Sequence, residues 1–87
     1  MKPPRFDWSC EASATKHGFA REEIESAFSV GALIFKVGKR AYMLLGKDRD
    51  GSLVEVAFRV LSSGKVLVFH CMEMRASLKK RYRRQRR

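Results

Sequence analysis

Two apolar segments decide the fold: LVEVAFRVL at residues 53–61 and VLVFHCM at residues 66–72, separated by Ser62-Ser63-Gly64-Lys65. Apolar or alternating runs of this length are typical of β-strands, and the Ser-Gly step between them is typical of a turn. Strands joined by so short a connection pair antiparallel, because parallel neighbours need a long crossover. The sequence therefore predicts an antiparallel hairpin at 53–72.

The residues before this hairpin extend it into a sheet. Two further strands are predicted at 32–37 and 40–45, because both segments are apolar or alternating. Turn residues stand at the breaks, with Gly38 after the first of these strands and Asp50-Gly51 before the hairpin. Four strands with such short connections form an antiparallel meander.

Helical patterns precede the sheet. A helix is predicted over 10–17, with Ser9 as its N-cap and Gly18 as its left-handed stop. A second helix begins near Ala20, where apolar residues recur at helical spacing, and it ends at Gly31.

A third helix follows the last strand, because Met74, Leu78 and Tyr82 fall at i, i+4 and i+8 and can dock it on the sheet. The predicted fold class is α+β: two N-terminal helices, a four-stranded antiparallel meander sheet and a C-terminal basic helix. Such a sheet normally has one face under helices and one face open.

The Ser63-Gly64 turn decides which side chains share a face. An even loop places one apolar set on the core face: Val56, Phe58, Val60, Leu67, Phe69 and Cys71. The open face then carries Glu55, Arg59 and His70, with Val66, Val68 and Met72 between them. An odd loop would put His70 beside Val56 and Phe58. The even register keeps polar groups out of the core, so we predict it.

The length and the charge limit the class of protein. Eighty-seven residues form one domain spanning 1–87. No apolar run approaches the ~20 residues that cross a bilayer, and residues 1–5 lack the apolar stretch of a signal peptide. We therefore expect a cytoplasmic protein that does not associate with membranes.

The net charge of +10 is concentrated at one end of the chain. Residues 79–87 contain seven of the nineteen basic residues and no acidic residue. The rest of the chain contains twelve basic and nine acidic residues. Such a block is typical of an arm that contacts a polyanion, although a solvated tail is the alternative. We expect RNA contacts from Lys79, Lys80, Arg81, Tyr82 and Arg83.

Several familiar sites are excluded. The turn at 48–51 lacks the further ligands of a calcium loop, and the spacing from Gly31 to Gly38-Lys39 does not fit a P-loop. Cys10 and Cys71 are expected to be buried, inert thiols. A zinc site is not expected, because His70 and Cys71 are strand neighbours that point to opposite faces. We predict no metal and no cofactor.

Two residues near the end of the last strand can carry chemistry. His70 can exchange protons near neutral pH, although a lone histidine is more often structural. Arg75 can cap the last helix or pair with Glu73, but a guanidinium at this position also suits a phosphate, since it binds two oxygens at once.

Several short motifs together resemble a known family. Phe6-x-Trp8, then Lys16-His17-Gly18-Phe19 and Glu22-Glu23, look like the N-terminal signature of BrnT-type toxins of bacterial toxin–antitoxin pairs. The turn at 46–51 also fits, as does the ending through 74–77 into a basic helix with Tyr82. The motifs cover nearly the whole chain in the family's order. Ser9 departs from the usual Asp after the tryptophan, the acid of the terminal helix is absent, and His70 is a local feature.

The resemblance implies a RelE-like ribonuclease fold that cleaves RNA without a metal. It also implies a cognate antitoxin that silences the toxin and carries it to operator DNA. Such cleavage, in which the ribose 2′-OH attacks its own phosphate, needs a base, an acid and cations on the phosphate. We predict Arg59 and Arg75 as the cations, His70 or Glu55 as the base, and Lys16 or Tyr82 as RNA-positioning residues.

Two other functions fit the same charge pattern. One is a non-catalytic RNA- or DNA-binding module that uses the basic helix, which would need no polar cluster on the sheet. The other is an interaction protein whose basic arm folds on an acidic partner.

Overall fold

The computed structural model describes residues 4–29 and 31–85 as one five-stranded sheet with three helices. In chain order the elements are β1 (Phe6–Asp7), α1 (Glu11–Ala14), α2 (Arg21–Ser26), β2 (Leu33–Gly38), β3 (Ala41–Lys47), β4 (Leu53–Val60), β5 (Val66–Glu73) and α3 (Ala76–Gln85). The strand order is β1-β5-β4-β3-β2. The α+β class and the antiparallel order of the four predicted strands are confirmed.

The prediction of a four-stranded, purely antiparallel sheet is wrong. β1 adds a fifth strand, which lies parallel to β5 with Phe6 opposite Val66 and Asp7 opposite Leu67. The Val66 amide also donates to the Arg5 carbonyl at 2.9 Å. Two residues are too few to show a strand period, so only the pairing with β5 defines this strand.

The two N-terminal helices are shorter than predicted, and their caps differ. Cys10 is the N-cap of α1 and makes no side-chain cap, whereas Ser9 donates its hydroxyl to the Asp7 carboxylate. The α2 helix ends at Ser26 rather than at Gly31. Glu23 caps its start by accepting the Ala20 amide at 2.9 Å. Short helices such as these depend on packing more than on propensity.

The predicted even loop between β4 and β5 is also wrong. Val60 pairs with Val66, so the loop spans the five residues 61–65. The register then shifts within β5, because Ala57 faces His70 while Phe58 faces Val68, which leaves Phe69 without a partner on β4. Because of this β-bulge, the residues after Phe69 lie on the same faces of the sheet that an even loop would have given them.

Because of the bulge, the predicted assignment of side chains to the two faces is correct for one half of β5 and wrong for the other. Cys71 lies on the core face with Val56, as predicted, and His70 and Met72 lie on the face of Glu55. In the first half of β5 the prediction is reversed. Val66 and Val68 are buried on the core face, while Leu67 lies opposite Arg59 on the other face.

Both faces of the sheet carry a core, so the expected open face is partly covered. On one face α1 and α2 pack over a larger cluster that includes Ile24, Leu44, Val56 and Val68. On the opposite face α3 packs Leu78 and Tyr82 over a smaller cluster around Leu45 and Met74. On this second face α3 packs against β3, while Arg59 of β4 is exposed and His70 of β5 is partly exposed.

We expect Gly46 to set the approach of α2 to β3. A Cβ at this position would lie 3.2 Å from the Ala27 carbonyl oxygen, whereas a Cβ at Gly38 would meet only the Ala41 Cβ at 3.6 Å. Overpacking of this kind costs about 1–3 kcal/mol. Gly46→Val should therefore lower the free energy of unfolding in urea by about that amount, and Gly38→Val should change it far less. Equal effects of the two substitutions would contradict this close approach.

Candidate active site

A buried carboxylate organises the polar cluster on the second face of the sheet. Glu55 lies on β4 between Leu45 of β3 and Met72 of β5, and its side chain is 0% exposed. Arg75, just before α3, binds both oxygens of this carboxylate. Its backbone N–H and Nε donate to Oε1 at 3.1 and 3.0 Å, and Nη2 donates to Oε2 at 2.9 Å. This geometry joins the start of α3 to the centre of the sheet.

His70 completes the cluster from β5. Its Nε2 lies 3.2 Å from Oε2 of Glu55, and its side chain is 28% exposed. An ionised carboxylate accepts hydrogen bonds only, so Nε2 carries the proton in this contact. In the neutral imidazole, Nδ1 is then the nitrogen with the free lone pair. Glu55 thus selects the tautomer of His70, as carboxylates do for many functional histidines.

The environment of Glu55 keeps it ionised. Burial is the largest single effect on the pKa of Glu55, and it raises that pKa. The side-chain and backbone hydrogen bonds from Arg75 and the His70 contact lower the pKa, and together they outweigh burial. The net pKa is below the ordinary value of 4.5. In return, the hydrogen bond to Glu55 raises the pKa of Arg75. The pair is therefore charged on both sides at neutral pH.

Arg75 remains accessible despite this pairing. Its side chain is 59% exposed, since only the edge with Nε and Nη2 contacts the carboxylate. A guanidinium has five N–H donors, so the other edge can still bind an anion. The cluster therefore combines an oriented imidazole with an exposed cation at the start of a basic helix.

Arg59, the other predicted cation, lies apart from this cluster. Alternation along β4 places it on the same face as Glu55, but four residues of strand separate the two positions by about 13 Å. Its Nη1 donates to the Lys39 carbonyl at 3.2 Å, beside the turn between β2 and β3. The structure thus brings together three of the four predicted catalytic residues: Glu55, His70 and Arg75.

The structure adds a histidine that the sequence reading left out of the site. The rings of His17 and His70 pack edge to face, with their centroids 6.0 Å apart. Lys16, predicted to position RNA, is its exposed chain neighbour in the turn after α1. The Lys16-His17-Gly18 motif was a signal for this segment, but no local pattern places it beside β5, 53 positions later.

The predicted RNA-binding residues of α3 divide into two groups. Lys80, Arg81 and Arg83 are exposed, and Lys79 is half-buried. Arg81 stacks its guanidinium over the Phe35 ring at 3.7 Å. Tyr82 is only 4% exposed and belongs to the core cluster with Leu45 and Met74, so its ring is not open to a base.

Further cations continue the basic surface of α3. Lys47, at the end of β3, lines a groove together with Arg83, and it lines a second groove with Arg49 of the following turn. Residues 86–87 of the predicted arm lie outside the described part of the chain.

The two thiols differ in their surroundings. Cys71 is buried in the larger core, where burial raises the pKa of its thiol to about 12, as expected for an inert residue. Cys10 is half-buried, so the prediction that both thiols are buried holds for Cys71 alone. His70 and Cys71 lie on opposite faces, as predicted.

No protein-family model, curated protein or solved structure matches this chain. Among the described residues, none of the helices has the length and apolar character that a membrane crossing requires.

We expect the Glu55 cluster to make stability depend on pH. A group whose pKa is lowered by folding contributes stability above its unfolded pKa, and this contribution is lost as the pH falls through the folded pKa. The free energy of unfolding should therefore decrease below about pH 4.5 in the wild type.

Glu55→Gln should remove part of that dependence and lower the free energy of unfolding at neutral pH by about 1–3 kcal/mol, because it weakens hydrogen bonds to a charged group. Glu73→Gln, at an exposed position on β5, is the matched control. Urea unfolding from pH 3 to pH 7 measures both. An unchanged pH dependence in Glu55→Gln would show that the cluster does not stabilise the fold.

Proposed function

We propose that this protein is a metal-independent ribonuclease that cleaves RNA through attack of the ribose 2′-OH on its own phosphate. The observation that carries the proposal is the cluster of Glu55, His70 and Arg75. It puts an imidazole of defined tautomer beside an exposed guanidinium. The reaction needs a base and a phosphate ligand side by side, and these two groups have the matching chemistry.

The geometry distinguishes the two predicted bases. Glu55 is fully buried, its oxygens are occupied by Arg75 and His70, and its pKa is lowered, all of which make it a poor proton acceptor for RNA. His70 is partly exposed and presents Nδ1 away from the carboxylate contact. We therefore assign the base to His70 and an orienting role to Glu55.

Arg75 supplies the positive charge. The pentavalent phosphate of the transition state carries more charge on its non-bridging oxygens than the substrate does, and a fixed guanidinium stabilises that excess. The bond to Glu55 holds the Arg75 side chain in place before RNA binds, so less side-chain entropy is lost on binding. No metal or cofactor is required for this chemistry.

The α3 surface supplies RNA affinity. Lys80 and Arg83 are exposed on the helix that follows Arg75, and Lys47 adds a further cation beside Arg83. Cations in such a row bind the phosphate backbone without reading its sequence. RNA lying along α3 would then pass the cluster at its N-terminal end.

The biological setting that we propose follows from the resemblance to BrnT-type toxins. In that setting the protein acts in the cytoplasm, a small antitoxin encoded beside it keeps it inactive, and the complex reaches operator DNA through the antitoxin. The basic α3 surface is the region on which we expect an acidic segment of the antitoxin to compete with RNA.

A non-catalytic RNA- or DNA-binding module is the second candidate. It is favoured by one specific observation: the backbone N–H of Arg75 donates to Glu55, so the cluster also fastens α3 to the sheet. On that reading the three residues serve stability only. An arm that folds on an acidic partner is less favoured, since Leu78 and Tyr82 already pack α3 on the sheet.

Cleavage of labelled RNA in EDTA separates the two candidates. Arg75→Ala should lower the rate of cleavage about a hundredfold or more while RNA binding falls far less, because the charge acts mainly in the transition state. Arg75→Lys should not restore the rate fully, since it lacks the planar fork.

Arg59→Ala is the matched control, because it removes an arginine from the same sheet face but outside the cluster. It should retain most of the cleavage activity. Thermal unfolding of each variant distinguishes a loss of activity from a loss of the fold. Wild-type rates in Arg75→Ala would contradict the proposed site, and an inactive wild type would favour the binding module.

The α3 surface makes a separate prediction about salt. Each phosphate contact with single-stranded RNA contributes about 0.7 to the slope of log affinity against log salt concentration. The double substitution Lys80→Gln and Arg83→Gln should flatten that slope. The same loss of charge at Lys36 and Lys39, both exposed in the β2–β3 hairpin, is the control and should leave the slope nearly unchanged. Filter binding at several salt concentrations measures it, and equal slopes for the two double variants would exclude α3 as the RNA-binding surface.

A further inference from the structure

His17 lies at a defined place beside the cluster. The α1 helix is fastened to the edge of β5 by the Ser13 hydroxyl, which donates to the Phe69 carbonyl at 2.8 Å. Phe69 is the bulged residue, and the bulge is also what directs His70 to the face of Glu55. The same irregularity in β5 therefore positions His70 and anchors the helix that carries His17.

The turn after α1 is closed by local hydrogen bonds. The Thr15 hydroxyl donates to the Glu11 carbonyl at 2.8 Å, and the Gly18 amide donates to the Thr15 carbonyl at 3.0 Å. Gly18 has a φ of 95°, a conformation that side-chain-bearing residues rarely adopt. These contacts hold His17 over the β5 edge, where its ring meets that of His70 edge to face at a centroid distance of 6.0 Å.

The two imidazoles have different surroundings. His70 is paired with Glu55, which stabilises the positive charge that forms when Nδ1 accepts a proton. His17 is exposed in the turn after α1. Glu55 thus orients His70 so that Nδ1 can accept a proton, while the exposed His17 ring is accessible to a substrate. Arg75 is the cation that shares Glu55 with His70.

We propose that His17 and His70 form the acid–base pair of the active site, with His17 as the general acid. This inference rests on the proposed ribonuclease function. It also assigns the one role that the Glu55, His70 and Arg75 cluster leaves unfilled, which is protonation of the leaving oxygen. The substrate class is RNA rather than DNA, because the nucleophile is the 2′-OH.

The proposed step balances as follows in atoms and charge. Nδ1 of His70 takes the 2′-OH proton, the 2′ oxygen forms a bond to phosphorus, and the bond from phosphorus to the 5′ oxygen breaks. The protonated His17 ring gives its proton to that 5′ oxygen. The products are a 2′,3′-cyclic phosphate and a 5′-hydroxyl end, and exchange with water restores both rings.

A structural role for His17 is the alternative, in which its ring only covers His70. A leaving-group substitution separates the two roles. The probe is an RNA that the wild-type protein cleaves, prepared in a second form with sulfur in place of the 5′ bridging oxygen at the scissile phosphate. A thiol is far more acidic than an alcohol, so the sulfur leaves as a thiolate without a proton donor.

His17→Ala should lower kcat/KM on the ordinary RNA by about a hundredfold or more, the typical contribution of a general acid. On the sulfur-substituted RNA the loss should be less than about tenfold. His70→Ala should be slow on both substrates, because the attacking hydroxyl still needs a base. His17→Asn provides a second variant of similar size, and Ala12→Gln, at an exposed position on α1, is the control for a change in the same segment.

The outcomes are distinct. Equal losses on both substrates in the His17 variants would overturn the acid role and leave His17 a structural residue, while the ribonuclease function itself would stand. If the wild type cleaves no RNA in EDTA, so that no such probe can be found, the proposed function is overturned, and the acid role with it. Rescue of His17→Ala and His17→Asn by sulfur, without rescue of His70→Ala, is the result that supports the pair.

Discussion

The arrangement of the sheet, α3 and the polar cluster depends on the hydrogen bonds that the buried Glu55 carboxylate accepts. A fully buried carboxylate is costly unless its oxygens are satisfied, and here Arg75 and His70 satisfy both of them. Because Arg75 immediately precedes α3, the same contacts fix where that helix leaves the sheet. Because His70 lies on the neighbouring strand, they also fix its tautomer. The buried charge of Glu55 therefore fixes the junction between the sheet and α3. It also fixes the His70 tautomer on which the proposed chemistry depends.

The β-bulge at Phe69 is the second constraint, because it decides which face of the sheet each later residue of β5 occupies. A five-residue loop between β4 and β5 would by itself have turned His70 towards the larger core, away from Glu55. The extra residue in β5 reverses this and leaves His70 beside the carboxylate. It also exposes the Phe69 carbonyl to Ser13, which anchors α1 at an edge that β1 is too short to cover. Bulges often change the face to which a side chain points, and this one directs His70 to the face of Glu55.

The polar cluster around Glu55 and the basic surface of α3 adjoin each other. The exposed cations of α3 belong to the helix that begins beside the cluster, and Arg81 lies over Phe35 at the margin of the smaller core. Tyr82 faces inward on the same helix and holds it to the sheet. A helix with one apolar stripe and an otherwise basic surface can thus dock on the sheet and still present its charge to a polyanion.

The sequence by itself determined the class of the fold and the composition of its charged surface. Apolar residues recur every second residue in the strands and every third or fourth residue in α3, and Gly or Asp-Gly stands at the breaks. This pattern was sufficient to predict strands β2 to β5 and α3, because it shows which side of each element is apolar. The grouping of Glu55 with His70 was also anticipated, but through an even loop that does not exist. Only the tertiary structure decided the rest. The pairing of β1 with β5, the bulge at Phe69, the separation of Arg59 from the cluster and the approach of His17 to His70 all depend on contacts between residues distant in the chain. No local period encodes such contacts, since a strand register and a helix docking position are set by the partner against which they pack.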